Sequence, residues 1–171
     1  TTGGLDLSDG NWRNFSFVFR ASGSSPVIDF YQNGSCVDSV VTGSGPVGLV
    51  TGTMIATIGA LQTDVEITAS VGEGYGKLSA SLDEFRFWKS ARNDQEIGRW
   101  WFDDVGGGSN KYDANVSLGV YLKFNEGITQ TASVDQVVLD YSGRLSNGFY
   151  LGYDSSYSRN TGSAIDELEI K

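Results

Sequence analysis

The sequence predicts an all-β fold of antiparallel strands in two packed sheets, with one short helix. Three observations lead to this prediction. The 171 residues include 23 glycines and only two prolines, a composition typical of short strands joined by tight turns rather than of long helices. Apolar and polar residues alternate with a period of two in several runs. An Asn-Gly pair, the strongest short signal for a β-hairpin, separates two of these runs.

The first half of the chain begins with this predicted hairpin. Its first strand carries phenylalanine at every second position, at Phe15, Phe17 and Phe19. Residues 27–32 form the second strand, Asn33-Gly34 supplies the turn, and residues 36–41 return. The turn follows because both Asn and Gly tolerate a positive φ. We expect the phenylalanine face to lie in the core, together with Trp12, Phe85 and Phe87.

Further strands are predicted over residues 55–61 and 65–71. The stretch from Leu78 to Trp88 is also extended, but its apolar residues move from even positions at its start to odd positions at its end. One extra residue in a strand produces such a shift, so we predict a β-bulge near Asp83-Glu84.

One helix is predicted after this stretch. Asn93 is suited to cap it, and Glu96 stands three residues later, as in a capping box. Ile97, Trp100 and Trp101 then share one helical face. We expect the two tryptophans to hold this helix against the sheets.

The second half of the chain returns to strand patterns. Alternating apolar residues predict strands over four stretches: Leu118 to Phe124, Val137 to Leu139, Phe149 to Tyr153, and Ile165 to Ile170. The segment from Asp140 to Gly143 is rich in turn-forming residues and closes the second of these strands.

Composition excludes several classes of function. The formal net charge of −9 is unfavourable for a nucleic-acid surface, which needs clustered Lys and Arg, and for an anionic membrane. No apolar run approaches the roughly 20 residues of a membrane span, and no signal peptide opens the chain. The sequence has no histidine, so imidazole bases are absent. Cys36 stands alone, so no internal disulfide or thiolate metal cluster is expected.

Five segments of the first half follow a recognisable order. Trp12 and the strand after it fit the pattern W-x-x-h-x-h, residues 30–34 fit Y-x-N-G, and Ile58-Gly59 fits h-G. Residues 76–88 resemble G-x-h-D-E-h-R-h-[WY], and residues 90–97 resemble R-x-x-x-E-I. In this order the segments resemble the concanavalin A-like and laminin G-like domains, over about residues 12–101.

The second half resembles the beginning of the same family. Residues 120–127 are similar to its motif G-x-W-x-F-x-E-G, and residues 140–148 are similar to D-x-S-G-x-x-x-x-G. The resemblance implies an antiparallel jelly-roll sandwich in one of two arrangements. Either residues 1–171 form a single, circularly permuted sandwich, or residues 1–105 and 112–171 belong to two successive repeats. We predict the single sandwich, because neither half alone would bury two sheet faces.

The resemblance also implies a structural calcium ion, which many relatives carry. Calcium takes about six to eight oxygen ligands. The resemblance favours Asp83 and Glu84 at the bulge, with Asp140 and Asn147 in the D-x-S-G loop. The alternative is that Asp140 closes an Asx turn and that Glu84 pairs with an arginine.

Carbohydrate binding is the first functional hypothesis. The faces of aromatic side chains pack against sugar rings, and Asp or Asn side chains bind the sugar hydroxyl groups. The candidate residues for this role are Tyr75, Tyr150, Tyr153, Asp154 and Tyr157. The alternative for each tyrosine is a place in the core, which aromatic residues also fill.

Glycoside hydrolysis is a less favoured hypothesis. Some sandwiches of this shape cleave glucans with paired carboxylates on one strand, spaced E-x-D-x-x-E or E-x-D-x-E. Retaining catalysis needs the two carboxyl groups about 5–5.5 Å apart. Glu167 and Glu169 approach this pattern, but Ala164 stands where the first glutamate is needed. The sequence therefore predicts no catalytic residues and no enzyme.

The sequence thus predicts a lectin-like recognition or adhesion module of a larger extracellular, cell-surface or virion protein. Its expected partners are a glycan or cell-surface polysaccharide and other chains of a surface assembly. A structural or protein-interaction module without sugar binding, such as a virion decoration or spacer domain, is the alternative.

Overall fold

A computed structural model describes residues 9–45, 56–60, 78–103, 105, 117–156 and 158–159. Within these residues the chain is built mostly from strands in antiparallel sheets, with few helices. This agrees with the all-β class that the sequence predicts. The elements are β1 (Phe15–Ser22), β2 (Ser25–Gln32), β3 (Ser35–Val41), β4 (Phe85–Trp88), α1 (Asp94–Trp100), β5 (Leu118–Leu122), α2 (Ala132–Asp135), β6 (Val137–Val138) and β7 (Gly148–Phe149).

The predicted hairpin forms the first sheet, which has the order β1-β2-β3. In its register Phe17 faces Phe30 and Phe19 faces Ile28, so these side chains share one face. Asn33 and Gly34 have φ values of 48° and 77°, as the turn prediction requires. Local sequence signals therefore determined this sheet correctly.

The burial of this sheet differs from the prediction. Val18 and Tyr31 pack with Ile97 of α1 on the face opposite the phenylalanines. Phe17 and Phe19 are 61% and 71% exposed. The expectation that they lie in the core is wrong for the described structure, because the helix covers the other side of the sheet. Trp12 and Phe87 are exposed as well, contrary to the same expectation.

The β-bulge predicted near Asp83-Glu84 is not formed, because residues 78–84 are not in a strand, and the register shift lies between Phe87 and Trp88 instead. Glu84 has a φ of 55°, and the regular strand β4 begins only at the next residue. β4 pairs with β5 in antiparallel fashion, which joins the first half of the chain to the second. A second core forms here from Val105, Leu118 and Tyr121, against which Trp88 and Trp100 pack.

The helix α1 has the predicted capping box. The Asn93 side chain accepts a hydrogen bond from the Glu96 N–H, and the Glu96 carboxylate accepts one from the Asn93 N–H, both at 2.9 Å. The Tyr31 hydroxyl donates to Asp94 at the start of the helix. Burial, followed by this acidic partner, raises the pKa of Tyr31. These contacts fix the helix to the first sheet.

Four predicted strands have other outcomes. Residues 56–60 form a turn rather than a strand, and Gly59 accepts a hydrogen bond from the Leu78 N–H at 2.7 Å. The strand predicted over Phe149 to Tyr153 is limited to β7, since a turn follows in which Gly152 has a φ of 76°. The strands predicted over 65–71 and 165–170 lie outside the described residues.

Candidate functional site

Two of the predicted sugar-binding tyrosines lie together. Tyr150 follows β7, and its N–H donates to the Gln136 carbonyl at 2.8 Å. The ring centroids of Tyr150 and Tyr153 are 6.0 Å apart, and the Phe124 ring lies 6.5 Å from that of Tyr150. Burial raises the pKa of Tyr150. The structure thus brings three aromatic rings to one place.

Arg159 lies beside this group of rings. Its side chain is only 3% exposed, and its Cζ atom lies 6.0 Å from the centroid of the Tyr150 ring. Nη1 donates to the carbonyls of Glu126 and Gly127 at 2.8 and 3.2 Å, and Nη2 donates to the carbonyl of Val137. Main-chain carbonyls therefore bind both terminal nitrogens of the guanidinium group.

Two carboxylates complete the site. Glu126 accepts a hydrogen bond from the Leu139 N–H on Oε1 at 2.7 Å, and its Oε2 lies 3.8 Å from Nη2 of Arg159. Asp135, which is 1% exposed, accepts hydrogen bonds on Oδ1 from the N–H and the hydroxyl of Thr129. The Thr129 N–H is the main cause that lowers the pKa of Asp135, so this carboxylate is ionised at neutral pH. We refer to Glu126, Asp135, Tyr150, Tyr153 and Arg159 as the Arg159 cluster.

Four buried polar atoms of the Arg159 cluster have no hydrogen-bond partner. They are Oε2 of Glu126, Oδ2 of Asp135, the hydroxyl oxygen of Tyr153 and Nε of Arg159. Six such atoms occur among the described residues, so two thirds of them are concentrated here. Buried polar atoms in native proteins are almost always hydrogen-bonded, and an unpartnered one calls for a water, an ion or a ligand.

The other sugar-binding candidates lie outside this constellation or outside the described residues. Asp154 forms a turn: its Oδ1 accepts a hydrogen bond from the Ser156 N–H at 2.8 Å, and its own N–H donates to the Ser158 hydroxyl. That turn leads directly to Arg159. Tyr75 and Tyr157 are not among the described residues.

The two predicted calcium ligands at the bulge are engaged by protein groups. Asp83 accepts a hydrogen bond from the N–H of Glu84 at 2.9 Å. Glu84 pairs with Arg86 at 2.6 Å and accepts a hydrogen bond from the Tyr121 hydroxyl at 2.6 Å. The structure therefore shows the arginine pairing that the sequence left open as the alternative to calcium.

The Asp140 carboxylate is likewise saturated by protein donors. It accepts hydrogen bonds from the N–H groups of Tyr121, Ser142 and Ser146 and from the Ser142 hydroxyl, at 2.8 to 2.9 Å. Burial acts to raise the pKa of Asp140, but these donors outweigh it and lower the pKa. The bond from the Ser142 N–H closes the predicted Asx turn. Asn147 accepts a hydrogen bond from the Asp140 N–H at 2.9 Å.

No group of three or more His, Cys, Asp or Glu side chains converges as a metal site within the described ranges. Glu167 and Glu169, the carboxylates considered for hydrolysis, are outside those ranges.

Sequence reasoning missed three residues of the Arg159 cluster. Glu126 was visible only as part of the F-x-E-G resemblance, and nothing singled out Asp135 or Arg159. Contacts between residues up to 33 positions apart join these side chains, and no local pattern encodes such contacts. A buried arginine in a turn-rich stretch carries no sequence signature of its own.

Comparisons with known proteins assign no family. No family model matches the chain, and neither the curated proteins nor the solved structures contain a significant match. Among the helices in the described part of the chain, none has the length and apolar character needed to cross a membrane.

Proposed function

We propose that this chain is a non-catalytic carbohydrate-binding or adhesion module of a larger extracellular, cell-surface or virion protein. The observation that carries the proposal is the pair Tyr150 and Tyr153 beside the charged side chains of the Arg159 cluster. Ligand sites typically combine aromatic lining with a few placed polar groups. Sugars need this combination, because a sugar ring has apolar C–H faces and polar hydroxyl edges.

The lowered pKa of Asp135 supports binding by this carboxylate rather than proton transfer from it. A glycoside hydrolase needs one carboxylic acid with a raised pKa that protonates the leaving group. The pKa of Asp135 is lowered instead, so this group remains a hydrogen-bond acceptor at neutral pH. A fixed acceptor binds a hydroxyl group but does not deliver a proton.

We also propose that the chain forms one concanavalin A-like jelly-roll sandwich. The pairing of β4 with β5 supports a single unit, because it connects residues 85–88 with residues 118–122 across the two halves. The Tyr121 hydroxyl, bound to Glu84, adds a side-chain link between the same halves.

Binding to a glycan array tests the carbohydrate proposal. We expect the wild-type chain to bind a defined set of glycans and Tyr150→Ala or Tyr153→Ala to lose at least about 10-fold in affinity, equivalent to about 1.4 kcal/mol. Tyr141→Ala is the matched control, since Tyr141 is a partly exposed tyrosine that contacts Tyr121 instead. A wild-type chain that binds no glycan would contradict the proposal.

A second candidate function is a structural or protein-interaction module, such as a virion decoration or spacer domain. The exposed phenylalanine face of the first sheet favours it, because contiguous apolar surface marks interaction sites. Sedimentation or light scattering would then show self-association that Phe17→Ser with Phe19→Ser abolishes. A monomer at high concentration that still binds glycans would favour the first candidate.

Calcium at Asp83, Glu84, Asp140 and Asn147 stays a prediction. A calcium ion there would have to replace the hydrogen bonds that now occupy the Glu84 and Asp140 carboxylates. Thermal unfolding in calcium chloride and in EDTA measures this directly. A melting temperature that rises with calcium and no longer does so in Asp140→Asn would support the site, and equal temperatures would contradict it.

A further inference from the structure

We propose that Asn33 is a modification site that accepts one N-linked oligosaccharide, and that the fold selects it over Asn14. This inference rests on the extracellular or cell-surface location in the proposed function, because a secretory pathway attaches such oligosaccharides. It does not depend on sugar binding by the chain itself. It follows from the exposure of Asn33 and from the hydrogen bonds that occupy the two asparagines differently.

Acceptor asparagines stand in the triplet Asn-x-Ser/Thr, where x is not proline. The sequence has three such triplets: Asn14-Phe15-Ser16, Asn33-Gly34-Ser35 and Asn115-Val116-Ser117. Asn115 lies outside the described residues. Because so short a motif also occurs by chance, the structural context has to distinguish between the triplets. A modified asparagine is expected on an exposed loop.

Asn33 lies in the exposed turn between β2 and β3. Its N–H donates to the Asn14 carbonyl, and its Oδ1 accepts from the Asn14 N–H, both at 2.9 Å. Oδ1 and Nδ2 branch from the same carbon, so the second bond directs Nδ2 away from Asn14. Nδ2, the atom that would carry the sugar, forms no hydrogen bond with the residues that the structure describes. The turn therefore uses the main chain and Oδ1 of Asn33 and leaves its acceptor nitrogen available.

Ser35 supplies the hydroxyl of this triplet. It is the exposed first residue of β3, and its side chain makes no hydrogen bond to any residue in the described ranges. The turn itself depends on the positive φ of Asn33 and Gly34 and does not require a hydroxyl at position 35. A transferase can therefore bind both the Asn33 amide and the Ser35 hydroxyl without breaking a side-chain contact among these residues.

The triplet at Asn14 is placed differently. Asn14, Phe15 and Ser16 are all partly buried. The Ser16 hydroxyl donates to Oδ1 of Asn14 at 3.2 Å, and Ser16 pairs with Tyr31 within the first sheet. The amide and the hydroxyl of this triplet are thus engaged with each other, and the triplet runs into a paired strand. Modification here would compete with formation of the sheet.

The chemistry needs only an activated sugar donor, an oligosaccharide linked through pyrophosphate to a lipid. A bond forms between Nδ2 of Asn33 and C1 of the first sugar, and the bond from C1 to the pyrophosphate oxygen breaks. The electron pair of that bond leaves with the lipid pyrophosphate, and Nδ2 gives up one proton. The product keeps the amide carbonyl, so Oδ1 can still accept from the Asn14 N–H. The modified chain can therefore keep the same turn.

Secretion of the full chain from eukaryotic cells, behind a removable signal peptide, tests the inference. We expect peptide mapping to find the oligosaccharide on Asn33 and to find Asn14 less occupied. Ser35→Ala should lose the mass of one oligosaccharide, whereas Ser35→Thr keeps a hydroxyl and should keep that mass. Ser16→Ala is the matched control, because it removes the triplet at Asn14, and should leave the oligosaccharide on Asn33. These three variants retain the Asn33-Gly34 turn, and circular dichroism checks their folding.

Two outcomes would overturn the inference: a folded, secreted wild-type chain with unmodified Asn33, or a chain in which Asn14 is as fully occupied as Asn33. If Ser35→Ala is not secreted, the mapping of the wild type and of Ser35→Thr still decides. The glycan array uses chain produced in bacteria, which carries no oligosaccharide. An unmodified Asn33 therefore leaves the proposed sugar binding standing, and an array without binding leaves the assignment of Asn33 standing.

Discussion

Asp140 shows how one buried carboxylate organises a turn. Its two oxygens accept four hydrogen bonds that connect β5 with the turn after β6. Three of the donors are the main-chain N–H groups of Tyr121, Ser142 and Ser146. The Asp140 side chain thus joins these two segments by hydrogen bonds, as main-chain pairing joins neighbouring strands elsewhere in the fold.

Replacing this carboxylate should destabilise the chain. We expect Asp140→Asn to lower the free energy of unfolding by about 2–4 kcal/mol, because the amide nitrogen would face N–H donors and leave them unpaired. Urea unfolding followed by tryptophan fluorescence measures the loss. Asp38→Asn is the control: Asp38 is exposed and its carboxylate accepts from the next N–H, so the change should stay within about 0.5 kcal/mol. Equal losses in both variants would contradict this account.

Aspartates with lowered pKa values, which are Asp9, Asp29, Asp135 and Asp140 among the described residues, determine the expected pH dependence of stability. The Arg20 guanidinium, and then the Ser39 hydroxyl, hold the pKa of Asp29 below its usual range, and the pKa of Asp140 is lowered as described. A lowered folded-state pKa gives stability that is present above the unfolded-state value of about 3.9 and is lost as pH falls through the folded-state value. We expect a free energy of unfolding that is nearly constant from pH 7 to 5 and falls below pH 4. Urea titrations at several pH values measure it, and Asp140→Asn should flatten the acid slope.

At the scale of elements, the turn between β2 and β3 carries the contact with the end of α1. A Cβ atom on Gly34 would lie 2.1 Å from Cδ1 of Trp101. The helix can approach the hairpin this closely only because position 34 has no side chain. Gly34 of the Asn-Gly pair therefore has two roles: it adopts the positive φ of the turn, and it leaves space for Trp101 at the end of α1.

Two matched substitutions separate these purposes. Gly34→Ala should cost about 2–4 kcal/mol, because it combines a strained φ with an overlap on the indole ring. Gly23→Ala occupies the other hairpin turn, where φ is 62° and a Cβ meets nothing within 4 Å, so it should cost only about 1 kcal/mol. Chemical denaturation of both variants measures the difference, which Trp101→Ala should reduce in a double-mutant cycle. Equal costs would show that the indole contact contributes nothing.

At the scale of the whole molecule, the pairing of β4 with β5 makes the two halves depend on each other. We expect a single unfolding transition that far-ultraviolet circular dichroism and tryptophan fluorescence report at the same urea concentration. Leu122→Ala should shift both signals together by about 2–4 kcal/mol, because Leu122 is buried opposite Phe85. Two separate transitions, of which only one moves in the variant, would instead indicate two independent units.

Local signals explain what could be predicted from the sequence. The Asn33-Gly34 turn and the Asn93-Glu96 capping box depend on residues within a few positions of each other, and both are confirmed. The burial of the first sheet was predicted wrongly, because alternation shows that a strand has two faces but not which face the helix will cover. Tyr150 and Tyr153 were predicted as sugar-binding candidates because they are aromatic residues. The position of Arg159 beside them depends on contacts between residues far apart in the sequence, which no local pattern indicates.

The edge strand β3 has a consequence for solutions of the protein at high concentration. All seven of its residues are exposed, and in the described part of the chain it lies at the border of the first sheet. Such a border offers unpaired main-chain groups to a neighbouring molecule, which is how fibres begin. The irregular register between Phe30 and Tyr31 interrupts its regular spacing and should limit this growth, because added strands need an unbroken row of partners.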